Sequence, residues 1–130
     1  MARYCLLGQV DPAKLDEYRV RHAAVWPELL VALRDAGWRN YSLFLRPDGM
    51  LIGYCEADDL DEAQVRVAAT EVNARWQAEM ARLFASEGAP DEAWERVEEV
   101  FNLEDQLSLA GEPPRSPVQQ ADHVGGGILT

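Results

Sequence analysis

The stretch Trp38-Arg-Asn-Tyr-Ser-Leu-Phe-Leu-Arg46-Pro47-Asp48-Gly49-Met50-Leu-Ile-Gly-Tyr-Cys-Glu56 reads as a β-hairpin. Two runs rich in apolar and aromatic residues, Trp38 to Arg46 and Met50 to Glu56, flank Pro47-Asp48-Gly49, whose residue types suit a tight turn with a positive φ at the glycine. What lies on each side of this hairpin decides the topology.

Upstream, Tyr4 to Val10 is a short apolar run ending at Asp11-Pro12, a capping residue followed by proline at the first helical position. Leu15, Tyr18, Val25, Leu29, Leu30 and Leu33 then follow the helical period, and Gly37 supplies the stop. Pro27 interrupts the pattern and predicts a kink or a restarted helix near Ala24 to Trp26. Downstream, Asp58 or Asp59 can cap a helical stretch that carries Leu60, Ala63, Val65, Val67, Ala68 and Val72. It continues through Ala74, Trp76, Met80, Leu83 and Phe84, and Thr70 can cap a second piece. Gly88-Ala89-Pro90-Asp91 breaks that helix, and Arg96 to Leu103 reads as a closing strand. The order β-α-β-β-α-β is that of an α+β, ferredoxin-like split βαββαβ fold: an antiparallel sheet with its helices on one face. The other sheet face lacks a cover, which in a chain this short predicts a homodimer of the dimeric α+β barrel type.

The predicted domain is residues 1–103. Residues 104–130, with Pro113, Pro114, Pro117 and glycines at 125, 126 and 127, read as a Pro/Gly-rich flexible tail in which His123 is functionally silent.

A chain of 130 residues can bury a core without disulfide or metal staples. Cys5 and Cys55 each sit in a strand-like run and read as reduced thiols, with a bridge between adjacent strands as the alternative. Acidic residues outnumber basic ones 23 to 12, and the basic ones are scattered. A net charge of −11 repels phosphate backbones, so nucleic acid is not expected as a partner, and a small neutral molecule fits the field best. Neither a basic-then-apolar leader nor an apolar window of about 20 residues is present, so the reading is a cytoplasmic protein without a membrane partner.

Tyr18, His22 and Trp26 recur at four-residue spacing, which on one helix would align a phenol, an imidazole and an indole along one stripe. Imidazole exchanges protons near neutral pH, and His22 is therefore the first candidate for chemistry. Taken singly, such residues suit a core as well as a ligand platform. Tyr41 on the second strand and Trp76 on the second helix would converge with them on one side of the sheet. Rings with polar tips suit a sugar, whose C–H faces stack on aromatics while its hydroxyls pair with polar groups.

These residues carry a resemblance. Glu17-Tyr18-Arg19-Val20-Arg21-His22-Ala23-Ala24-Val25-Trp26-Pro27-Glu28-Leu29, then Asn40-Tyr41-Ser42-Leu43-Phe44-Leu45, Arg75-Trp76 and Glu99-Val100-Phe101-Asn102-Leu103 resemble the L-rhamnose mutarotase family, colinearly from about residue 3 to 103. The resemblance implies a dimeric ferredoxin-like enzyme that interconverts the α and β anomers of L-rhamnose without a cofactor. It implies His22 as proton donor and Tyr18, Tyr41 and Trp76 as sugar-binding residues. Where the family pattern places a second tryptophan, this chain has Gln77, an amide that can hydrogen-bond a hydroxyl but cannot stack on a sugar face. Gln77 is thus a further substrate-binding candidate, and a preference for another deoxy sugar such as L-fucose is the nearest alternative. Trp26, Pro27 and Glu28 read as residues that set the helix break. The same fold also hosts cofactor-independent monooxygenases, a haem-binding offshoot and ligand-sensing modules, which are the readings from other classes.

Overall fold

The structure, a computed structural model, describes residues 1–85, 90 and 93–111. It divides into two compact units, Met1–Glu99 and Val100–Thr130.

In the first unit, β1 (Ala2–Gln9) leads through a 3-10 turn at Pro12–Lys14 into α1 (Leu15–Ala23) and α2 (Pro27–Ala36). The side chain of Asp11 accepts from the Ala13 N–H at 3.0 Å and so starts this segment. The break falls where Pro27 requires it. Having no N–H to donate, proline takes the first position of a new helix, and the predicted single helix is two. Gly37, at φ 111°, ends α2 by donating its N–H to the Arg34 and Leu33 carbonyls.

The hairpin follows as β2 (Arg39–Leu45) and β3 (Met50–Ala57). Its turn is closed by Gly49 N–H to the Arg46 carbonyl at 2.9 Å and Arg46 N–H to the Met50 carbonyl at 2.8 Å. A register shift between Arg39 and Ser42, with Asn40 at φ 47°, marks a β-bulge beside Tyr41. The second predicted helix is also two pieces. Asp59 caps α3 (Leu60–Ala68) by accepting from Glu62 N–H, and Thr70 caps α4 (Glu71–Met80) by accepting from Asn73 N–H. After a 3-10 turn at Ala81–Leu83, Phe84 bridges to Val10 and the chain returns as β4 (Glu95–Val97) beside β1.

The sheet order is β2-β3-β1-β4 and every pairing is antiparallel, which is the split βαββαβ topology read from the sequence. Leu6 of β1, Val10 just after it, and Leu51, Cys55 and Ala57 of β3 are buried on the face packed by helices. Two core clusters form there. One gathers Leu6, Trp38, Cys55, Leu60, Ala63 and Val67; the other gathers Val10, Tyr18, Leu29, Leu51, Trp76, Met80 and Leu83. Leu33 and Trp94 pack against both.

The register puts Cys5, Leu7, Phe44, Ile52, Tyr54 and Val97 on the opposite face, where Phe44 is 58% exposed and Val97 43%. Cys5 and Cys55 therefore lie on different faces of neighbouring strands, and both are free thiols. Burial pushes the Cys55 thiol up to about 11, which leaves it protonated and unreactive.

Three details of the sequence reading need correction. The closing strand is only Glu95–Val97, not Arg96 to Leu103, because pairing with β1 stops at Cys5↔Val97. In the second unit, Asn102 accepts from Asp105 N–H at 3.0 Å and caps α5 (Leu103–Leu109), so the first residues read as tail are helical. Val65, counted as an apolar contact of α3, is 69% exposed. The expected break at Gly88-Ala89-Pro90-Asp91 lies, apart from Pro90, outside the described residues, as does His123. No helix among the described residues is long and apolar enough to cross a membrane.

Gly49 holds φ at 91°, and a Cβ there would run into the Val10 carbonyl oxygen. Gly49→Ala is expected to destabilise the fold by about 2 kcal/mol or more, read as a lowered denaturation midpoint in urea at unchanged m-value.

Candidate active site

Four helices and β2 meet around a cavity of about 340 Å³ on the helical side of the sheet, lined by Tyr18, His22, Tyr41, Trp76, Gln77 and Trp94, with Asn73 and further apolar side chains completing the wall. All five residues singled out in the sequence, His22, Tyr18, Tyr41, Trp76 and Gln77, lie on it.

The α1 contribution follows from helical spacing. Tyr18 and His22 are one turn apart and their rings stack at 4.0 Å between centroids, 22° from parallel. His22 Nδ1 lies 3.0 Å from the Tyr18 carbonyl oxygen. A carbonyl can only accept, so Nδ1 carries the proton and Nε2 is the nitrogen left to exchange one. Burial lowers the His22 pKa below 6.5, partly offset by that hydrogen bond, which favours the imidazolium. At neutral pH the ring is therefore mostly neutral. Tyr18 is 4% exposed, and burial raises its phenol above the usual 10, so it remains a hydroxyl and is unsuited to be the base.

Trp76 of α4 is the hub of the aromatic wall. His22 meets it edge-on at 5.4 Å and Trp26 edge-on at 5.0 Å. Trp26 reaches Trp76 from the break rather than along the α1 stripe, and it does not line the cavity. The predicted alignment thus holds for Tyr18 and His22 only, and Trp26 is a support. Arg21 to Glu79 at 3.1 Å and Arg82 to Glu17 tie α1 to the end of α4. Exposed pairs of this kind contribute up to about 1 kcal/mol each, so ring packing dominates the docking.

Tyr41 enters from β2 beside the bulge and packs on Trp38 at 4.7 Å. Trp38 is itself held by its Nε1–H donating to the Ala63 carbonyl at 3.3 Å.

Two residues on the wall were not singled out in the sequence. The Trp94 ring packs on the sheet where β1 and β3 carry glycine: a Cβ at Gly8 would stand 3.2 Å from its ring, and one at Gly53 3.7 Å. Glycine inside two strands is the sequence signal for such an approach. Asn73 is 5% exposed and accepts from Gln77 Nε2 at 3.2 Å. Its signal was a polar residue on the stripe that also carries Trp76 and Met80. Among the described residues no group of three or more metal-ligating side chains gathers.

The sequence profile of the family described as L-rhamnose mutarotase matches residues 3–103. The chain belongs to the L-rhamnose mutarotase family. It is 41% identical over 98 residues to the L-rhamnose mutarotase of Burkholderia orbicola (strain MC0-3), covering 74% of this chain and 92% of that one. The crystal structure of an L-rhamnose mutarotase from Formosa agariphila superposes with a TM-score of 0.62 at 27% identity, covering 79% of this chain and 99% of that one. An antibiotic biosynthesis monooxygenase superposes at 0.52 with 17% identity, covering 77% and 99%, and shares the fold alone. Family membership and the ferredoxin-like fold thus agree with the sequence reading.

An NMR titration of His22 is expected to give a pKa below 6.5 with Nδ1 protonated in the neutral ring. Between the folded value and the unfolded value of about 6.5 the unfolded chain binds the extra proton. The histidine's stabilising contribution is therefore present above pH 6.5 and is lost as pH falls through the folded pKa. A folded-state value above 6.5 would contradict the burial described.

Proposed function

We propose that this protein is an L-rhamnose mutarotase, a 1-epimerase that interconverts the α and β anomers by opening and reclosing the pyranose ring, with His22 as the acid–base group. The observation that carries the proposal is the His22 imidazole on the cavity wall, its Nδ1–H committed to the Tyr18 carbonyl and its rings braced by Tyr18 and Trp76. Pinning one nitrogen fixes both tautomer and ring plane, so the proton exchanged with substrate is the one at Nε2.

In the proposed step the bond between the anomeric carbon and the ring oxygen breaks. The Nε2 proton passes to the ring oxygen and the anomeric hydroxyl proton passes to water, giving an open-chain aldehyde. After rotation about the bond to the anomeric carbon, the freed hydroxyl attacks either carbonyl face and returns its proton to Nε2 while the carbonyl oxygen takes a proton back from water, so no net proton is consumed. Tyr18 stays protonated and serves as a donor to a sugar hydroxyl. Tyr41 and Trp76 supply ring surface for the C–H faces, and Gln77 supplies an amide. Sugar opening without a catalyst already proceeds, so proton transfer worth about 10² to 10⁴ in rate, together with positioning, suffices.

Two finer parts of the reading rest on other observations. A homodimer is supported by the sheet face carrying Leu7, Phe44, Ile52 and Val97, which the register places away from the buried face. A cytoplasmic location is supported by two free thiols, which suit a reducing compartment.

Saturation-transfer NMR between the anomeric protons of L-rhamnose measures the exchange directly. His22→Asn is expected to remove about 10²-fold or more of the acceleration over buffer while sugar binding persists. The wild-type acceleration should rise as pH falls towards the lowered His22 pKa, since the imidazolium is the donor. Acceleration of L-fucose and not L-rhamnose would reassign the substrate, and no acceleration of any sugar would sink the mutarotase reading. Light scattering is expected to give twice the chain mass, and Phe44→Asp to give the monomer; a monomeric wild type would remove the dimer.

A further inference from the structure

We infer that Asn40 is a positioning residue: its left-handed backbone, fastened to Glu56 on the far face of the sheet, turns Tyr41 into the cavity beside Trp38. Its consequence for the sugar rests on the mutarotase reading and deepens it.

In an unbroken strand, residues three apart point to opposite faces. Trp38 and Tyr41 are three apart, yet both line the cavity and their rings pack at 4.7 Å. The register shows how this arises. Arg39 pairs with Glu56 and Ser42 with Tyr54, so Asn40 and Tyr41 together stand opposite Cys55 alone. Cys55 is buried on the helical face, which places its neighbours along β3, Tyr54 and Glu56, on the other face. Arg39 and Ser42 share that other face with their partners. The extra residue between them lets Trp38 and Tyr41 share the helical one.

Asn40 sits at φ 47° and is the one non-glycine residue at positive φ among the described residues. Glycine adopts this conformation without a Cβ penalty, and asparagine is among the few other residues that tolerate it. Asparagine adds a fastening that glycine lacks. Its Nδ2 donates to Glu56 Oε2 at 2.9 Å, and the Tyr54 hydroxyl donates to the same oxygen at 2.8 Å. Donation by Asn40, then by Tyr54, holds the Glu56 carboxyl below its usual range, so it accepts as a carboxylate at neutral pH. The bulge is thus held from the side of the sheet away from the cavity, and Asn40 acts on substrate only through where it puts Tyr41. A slip of one residue would carry Tyr41 to the far face. Because Tyr41 supplies ring surface rather than proton transfer, its displacement weakens binding and leaves the His22 step alone.

The test combines anomer-exchange kinetics on L-rhamnose with NMR on the wild type, Asn40→Gly, Asn40→Val, Glu56→Leu, Tyr41→Ala and the double Asn40→Val/Tyr41→Ala. Asn40→Val, whose branched side chain disfavours positive φ, is expected to raise KM about five- to tenfold with kcat little changed, the loss of one ring contact. Asn40→Gly, which keeps the backbone conformation, should stay within about twofold of wild type. Glu56→Leu, which removes the fastening and leaves asparagine in place, should raise KM part of the way. Tyr41→Ala should match Asn40→Val, and the double variant should be no worse than Tyr41→Ala. In the NMR arm, wild type and Asn40→Gly should show cross-relaxation between the Tyr41 and Trp38 rings, and Asn40→Val should lose it. The wild type should also give the strong amide–Hα cross-peak of a positive φ at Asn40, which keeps the inference open to refutation where Asn40→Val fails to fold. Unchanged KM in Asn40→Val, Glu56→Leu or Tyr41→Ala would overturn it. So would an Asn40→Gly as poor as Asn40→Val, losses that multiply in the double variant, or wild-type spectra without these cross-peaks. A wild type inert on L-rhamnose would instead overturn the parent reading, and the NMR arm would still decide whether Asn40 places Tyr41.

Discussion

Proline at position 27 cannot donate a backbone N–H, and that one missing hydrogen bond shapes the site. A continuous helix from Asp11 to Gly37 would have to serve the sheet and the cavity with a single axis. Because Pro27 opens a new helix instead, α2 lays Leu29 and Leu33 on the core while α1 presents Tyr18 and His22 to the cavity wall. The break also frees Trp26 to reach Trp76 from the side, and Arg75 lies over the Trp26 ring at 5.9 Å. Trp76 is thereby fixed by contacts from both sides of the break, and it in turn presents an edge-on ring contact to His22. The imidazole is held by rings on two sides and by a carbonyl at Nδ1, leaving proton exchange at Nε2 as its remaining freedom.

The electrostatics of the cavity come from burial more than from charge. His22 is moved down and Tyr18 up by desolvation, each towards its neutral form. Two neutral, hydrogen-bonding groups in an aromatic wall match a neutral polyol, which carries no charge to compensate. The acidic surface, net −11, adds nothing that such a substrate needs and disfavours anionic competitors. The fold itself does not select this chemistry, since a monooxygenase shares it. The assignment rests on which side chains line the cavity.

Much of this was legible in the chain. The Pro47-Asp48-Gly49 turn, the Asp59 and Thr70 caps and the Asp11-Pro12 start are local signals, decided by a residue and its near neighbours, and each appears in the structure. Tyr18 and His22 were visible together because helical spacing is also local. The C-terminal end of the sheet was read too long for a related reason. Arg96 to Leu103 has apolar residues that suit a strand, but its pairing with β1 stops at Cys5↔Val97 although β1 itself runs on to Ala2. The sequence signal of the helix that follows, Asn102 as a cap before Glu104 and Asp105, competes with that reading and prevails. Trp94 and Asn73 escaped notice because their meaning is set by distant partners: a tryptophan after a loop becomes a pocket floor only where Gly8 and Gly53 leave room for it.

By itself the sequence determined the kind and order of the elements, the helix break, the acidic field and the choice of His22 as the candidate for proton exchange, since each depends on short-range sterics, hydrogen-bonding capacity or summed charge. Tertiary structure decided which of the aromatic residues face one cavity, that Trp26 supports rather than lines it, that Cys5 and Cys55 lie on opposite faces, and that Asn73 is buried on the cavity wall. Those outcomes depend on strand register and on the angle at which α1 and α4 dock. Both are fixed only when residues far apart in the chain are packed against one sheet.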